Sequence, residues 1–158
     1  MEANVEVARN RLSLTEVVAM AGGALLAISL FLPWYETDPE NENVVINGAR
    51  GSFSAWDVHS LLRWLLLLAA VAPFILSYII LRRHELSWAR GEMTAVTSIA
   101  ALGLILFNGL AARPGEPASS VSLKYGWFLA VLGTSLMLFG SAKRSSEVER
   151  KRKPPGTI

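Results

Sequence analysis

Apolar residues along this chain gather into four long runs, Leu14 to Tyr35, Leu61 to Leu81, Met93 to Ala112 and Tyr125 to Ala142, separated by polar connections. Each run has the ~20 residues that cross a ~30 Å hydrocarbon core at ~1.5 Å rise per residue. A segment in lipid must satisfy its own backbone hydrogen bonds, which helices do and isolated strands do not. The pattern predicts an all-α membrane protein, a four-transmembrane-helix bundle with spans at 14–35, 61–81, 93–112 and 125–142 and a tail at 143–158.

Punctuation within the runs refines this. Ser13 and Glu16 have capping-box spacing at the start of helix one, and Ser54 and Asp57 repeat it before helix two. A buried-carboxylate role for Glu16, as in small exporters, ranks well below the cap because the residue lies in the first turn. Pro33, Trp34 and Tyr35 are expected to close helix one at headgroup level, with Tyr125 and Trp127 as matching anchors on helix four and Trp88 in the inner connection. Pro73 predicts a bend in helix two, its freed carbonyl satisfied by a neighbour or a serine such as Ser77. In the first large connection, Val44 to Ile46 run into Asn47-Gly48, and Ser52 to Ser54 follow, which predicts a short β-hairpin.

Small residues recur every four positions at Ala19, Gly23 and Ala27, and again at Gly126, Ala130 and Thr134. Such stripes let helix backbones approach closely, so both are candidate packing faces, with Leu26 placed towards lipid. Asn108 is expected to hydrogen-bond another helix. Asp57, His59 and Arg63 form a candidate polar cluster at the outer end of helix two, with His59 and Arg63 on one helix face and Arg63 reaching the headgroups.

Charge supplies orientation. Of the 15 basic residues, Arg9, Arg11, Arg82, Arg83, Arg90, Lys143, Arg144, Arg150, Lys151, Arg152 and Lys153 fall on one side of the four-span arrangement. Arg50, Arg63, Arg113 and Lys124 fall on the other. The positive-inside rule then puts both termini in the cytoplasm. Glu36, Asp38, Glu40, Glu42 and Asp57 make the first outer connection acidic.

Composition narrows the chemistry. With 158 residues, 52% of them hydrophobic and 18% charged, the chain is expected to be a single integral membrane domain. A cleaved signal is not expected, since the first run is long and lacks small residues at its end. The chain has no cysteine, which excludes thiol redox chemistry and thiolate metal sites. His59 and His84 fall on opposite sides, so no shared metal or haem is expected, and no catalytic residues or cofactors are assigned. The basic tail accounts for much of the pI near 9.2, and no nucleic-acid partner is expected.

The run Ser29-Leu-Phe-Leu-Pro33-Trp34-Tyr35, followed by Ser54-Ala55-Trp56 and a leucine-rich span, resembles a group of small uncharacterised four-span bacterial membrane proteins. Their marks are an LPWY-type end to helix one and an SAW or TAW start to helix two. The resemblance covers the first half of the chain and implies a bacterial plasma membrane address without an activity. Many such sequences carry an acid where this chain has Arg63 and an aromatic where it has His59. The leading expectation is a non-enzymatic membrane protein that acts in assembly with itself or another membrane protein through its helix stripes and outer loop. A small transporter or channel subunit comes second and a membrane enzyme third.

Overall fold

The computed structural model describes residues 12–82 and 91–152, with side chains of the last helix followed to Ser145. Arg9, Arg11, Arg83, His84, Trp88, Arg90 and the end of the tail, Lys153 to Ile158, lie outside the described residues.

Among the described residues four principal helices pack side by side. The first, α1, spans Leu14–Ser29. A four-residue turn, α2, spans Ala55–Val58, and α3 spans Leu62–Leu81. Next come α4 at Glu92–Leu106, prolonged by a π-helical turn at Phe107–Ala111, and α5 at Tyr125–Arg152. α1 packs on α5 and on α3, and α4 packs on the same two helices from the other side. Three of these, at Leu62–Leu81, Glu92–Ala111 and Tyr125–Ser145, are long and apolar enough to cross a membrane, whereas α1 is a shorter apolar helix.

The expected first span therefore ends early. α1 stops at Ser29, and Pro33–Thr37 form a strand, β1, rather than the last turns of a helix. Pro33 favours this start, since its fixed φ and missing N–H suit the first residue of a strand, and Trp34, Tyr35 and Thr37 are good strand formers. β1 is the centre of a three-stranded antiparallel sheet, between β2 at Ser52–Ser54 and β3 at Val121–Leu123. Both connections at this end of the bundle thus contribute to one sheet.

The expected hairpin is re-paired accordingly. Asn47 and Gly48 do make a tight turn with positive φ, closed by mutual Ile46–Ala49 bonds of 2.9 and 3.0 Å. Ser52–Ser54, however, pair with β1 and not with Val44 to Ile46, while Val45 bridges Glu116 in the other connection. Burial explains the choice: Trp34, Tyr35, Val44, Ile46 and Val121 all pack under the sheet into the same hydrophobic core as the helix ends. A lone hairpin would leave these side chains in water, at about 2 kcal/mol or more each.

Trp34 and Tyr35 are therefore core residues, each 0% exposed, and not surface anchors. Trp127 is likewise buried, while Tyr125 is exposed.

Helix seams are made by glycine. A Cβ on Gly22 would lie 2.5 Å from the Gly133 carbonyl oxygen of α5, and one on Gly133 would lie 2.8 Å from that of Gly22. Lower on the same seam, a Cβ on Gly140 would meet the Thr15 carbonyl oxygen at 2.5 Å and the Ala19 nitrogen at 2.9 Å. Leu26 belongs to this seam and is 0% exposed, so its expected lipid-facing position is corrected: it follows Gly22 by one helical turn and faces α5 with it. Gly23 faces a different neighbour, with the Ala70 carbonyl and Pro73 of α3 where its side chain would be. Ala27 is half-buried.

Candidate functional site at the sheet end of the bundle

The π turn at the end of α4 organises the polar groups of this end. Ala112 N–H donates to Phe107 O at 2.9 Å, one residue further back than an α-helix allows. Such a turn releases carbonyl oxygens from the regular ladder, and side chains from separate elements take them. Trp127 Nε1 of α5 donates to Ile105 O at 3.0 Å, and Tyr35 Oη of β1 donates to Asn108 O at 3.3 Å. Arg113 donates through Nε to Gly109 O at 2.7 Å and through Nη1 to Val121 O of β3 at 3.1 Å. Gly109 is required here, because the Trp127 ring occupies the place of its missing side chain.

Tyr35 extends the network. Its hydroxyl lies 3.0 Å from His59 Nε2. Both neighbours are satisfied when His59 Nε2–H donates to Tyr35 Oη and Tyr35 O–H donates to Asn108 O, an assignment made from geometry. Burial raises the Tyr35 phenol above its ordinary range, partly opposed by Arg113. Burial also lowers the His59 imidazole below 6.5. Both groups are neutral at pH 7, so the chain from His59 to the π turn is an uncharged polar relay.

The three residues of the expected polar cluster have separate partners. Asp57 accepts from Ser54 N–H at 3.1 Å and from Ser54 Oγ at 2.6 Å, the second capping box. His59 turns to Tyr35. It lies in the extended break between α2 and α3, so the expected shared helix face with Arg63 does not exist. Arg63 lies over the rings of Trp56 and Trp64, its Cζ 5.1 and 5.7 Å from their centroids. Among the described residues no hydrogen bond or ion pair joins these three side chains to one another, and no group of three His, Cys, Asp or Glu residues is placed to hold a metal ion. Asn108 also departs from expectation: its Nδ2 donates to Leu104 O of its own helix at 2.9 Å, and only its backbone carbonyl reaches another element.

The second packing stripe lies beneath this site. Gly126 abuts the Leu32 and Pro33 carbonyls, Ala130 is fully buried, and Thr134 donates to Ala130 O at 2.7 Å.

A second polar region lies at the opposite end of the bundle. The Ser13 box forms, with Ser13 N–H donating to Glu16 Oε2 at 2.7 Å. The same carboxylate is only 4% exposed, and its Oε1 lies 3.3 Å from Arg144 Nε of α5. The pair borders a cavity of about 10 Å³, room for one water, with Pro73, Ser77, Thr94 and Ser141 also on its wall. Ser77 Oγ donates to Pro73 O at 2.8 Å, so it does not take the Ala69 carbonyl that the proline frees.

The Glu16–Arg144 pair and the burial of Trp34 and Tyr35 escape sequence reasoning. A capping box explains Glu16 locally and conceals its distant partner. For the aromatics a signal existed, in the strand-forming composition that follows Pro33.

Searches of protein-family models, curated proteins and solved structures return no match to this chain.

Proposed function

We propose that this chain is a four-span, non-enzymatic protein of the bacterial plasma membrane that acts in assembly with itself or another membrane protein. Its folded sheet-end cap would be the recognition surface, facing outwards, with both termini in the cytoplasm. The observation that carries this reading is the joining of both sheet-end connections in one sheet over a shared core. A connection that merely links two spans needs no such structure, and a firm polar surface of fixed shape suits a partner. The glycine seams are filled by the chain's own helices, which leaves the cap as the better candidate surface. The uneven distribution of lysine and arginine supports the orientation, and the LPWY and SAW resemblance supports the bacterial address.

Photo-crosslinkers at exposed Asn43 and Ser119, used in native membranes with identification of the products, test the proposal. Defined adducts from these positions are expected. A monodisperse monomer in mild detergent, together with no adduct from either position, overturns it.

One observation favours the transporter reading as a second possibility. The buried Glu16–Arg144 pair borders a cavity beside Pro73, at a junction of all four principal helices, and buried ionisable groups are usual in transport paths. Substrate-dependent accessibility of a cysteine at Ser77 would promote that reading above assembly.

A further inference from the structure

We infer that Arg63, held against Trp56 and Trp64, is a docking site for the phosphate of an anionic phospholipid in the leaflet on the sheet side of the bundle. An ordinary interfacial arginine has a mobile head that reaches water wherever it finds it. This one is held in place. Its Nη1 donates to the Trp56 carbonyl at 2.9 Å, and its guanidinium lies over two indole rings. Those rings meet edge to face at 5.1 Å, and Trp56 stacks in turn on Phe31 at 4.8 Å.

With Nη1 used, Nε and Nη2 are the donors that remain. Among the described residues Nε has no hydrogen-bond partner but is closed to solvent, whereas Nη2 is unpaired and not covered in this way, so Nη2 is the donor that an acceptor from outside can reach. Nη2 can give a phosphate oxygen a charge-assisted hydrogen bond from a guanidinium already fixed in place, whereas a lysine ammonium would have to be ordered first. The nearest acid in sequence, Asp57, is engaged by Ser54, and among the described residues no carboxylate pairs with Arg63.

Location selects a lipid over a soluble anion. Trp64 beside the guanidinium and Phe31 stacked on Trp56 are both exposed, an apolar surface that suits acyl chains where the phosphate meets Arg63. An anionic headgroup also fits better than a zwitterionic one, whose own cation would compete with Arg63 for the phosphate.

The test uses the full chain in mild detergent, with retained lipid measured by native mass spectrometry. The wild type is expected to retain phosphatidylglycerol about tenfold more strongly than phosphatidylcholine. Arg63→Gln should bring that ratio to about one, and Arg63→Lys should keep part of it. An unchanged ratio in Arg63→Gln overturns the inference, as does Arg63-dependent binding of free glycerol phosphate with equal strength. Should Arg63→Gln not fold, the wild type in vesicles decides: brominated phosphatidylglycerol should quench tryptophan fluorescence more than brominated phosphatidylcholine, and equal quenching sinks the site. The inference rests on the membrane reading but not on assembly. Membrane insertion without headgroup preference defeats the lipid site alone, while a chain that fails to insert defeats the membrane reading itself.

Discussion

Individual side chains here act through what they exclude as much as through what they touch. Gly109 and Gly103 make the comparison on one helix. A Cβ at Gly109 would collide with the Trp127 indole, whereas one at Gly103 meets nothing within 4 Å. Gly109→Ala is therefore expected to cost about 1–3 kcal/mol by overpacking and by disturbing the indole bond to Ile105 O. Gly103→Ala should be neutral or stabilising by up to ~1 kcal/mol. Thermal unfolding in detergent, followed by tryptophan fluorescence, separates the two. Gly23→Leu should resemble Gly109→Ala, as the Ala70 carbonyl stands where its side chain would go. Leu26→Ile should also lower stability, since Leu26 is buried against α5. His59 provides a pH test. Its imidazole titrates below 6.5 in the folded chain because burial disfavours the cation, so the unfolded state binds more protons as pH falls through 6.5. The stability associated with neutral His59 is complete above 6.5 and is lost as pH falls from there through the folded value. The difference in melting temperature between wild type and His59→Gln should therefore change between about pH 7.5 and pH 5. A constant difference across that window contradicts the assignment.

Among the elements, α1 is the one whose length differs most from a simple hydropathy reading. It ends at Ser29 because the chain must turn to place β1 across the helix ends, and Trp34 helps to hold that turn by donating to Ser29 O at 2.8 Å. Its other end is tied twice, by the Ser13 cap and by Arg144. These ties separate by mutation. Ser13→Ala should cost about 0.5–2 kcal/mol, the usual value of a cap. Glu16→Ala should cost about 1.5–3 kcal/mol more than that, because it removes the buried carboxylate's contact with Arg144 as well as its bond to Ser13 N–H. Denaturation in a mild detergent series measures both, and equal losses would mean that the ion pair adds nothing to the cap. The expected anchoring roles of Trp34, Tyr35 and Trp127 fail for a related reason: the ring N–H or O–H that suits an interface serves equally well in a core that has carbonyl oxygens to offer.

For the molecule as a whole, topology is the decisive measurement. Cysteines placed at exposed Asn43 and Ser119 should react with an impermeant thiol reagent in intact cells, and one at Ser145 only after permeabilisation. The chain has no native cysteine to contribute background. Labelling at Ser145 in sealed cells would reverse the proposed orientation without altering the bundle. The two ends of that bundle have different physics: the seams between helices depend on close backbone contact, while the sheet end buries Val44, Ile46 and Val121 as a soluble domain would.

Long apolar runs determine, without further information, that helices form at Leu62–Leu81, Glu92–Leu106 and from Tyr125 onwards, because hydropathy and length are local properties. The boxes at Ser13 and Ser54 and the Asn47-Gly48 turn are legible for the same reason: each is settled within four residues. Partners distant in sequence are not. Strand pairing on β1, the neighbour that each glycine faces, the meeting of Tyr35 with His59 and Asn108, and the Glu16–Arg144 pair all depend on how the helices rotate and where the connections fold back. Local pattern supplies the donor, the acceptor and the small residue, and tertiary packing decides which of many available counterparts each one meets.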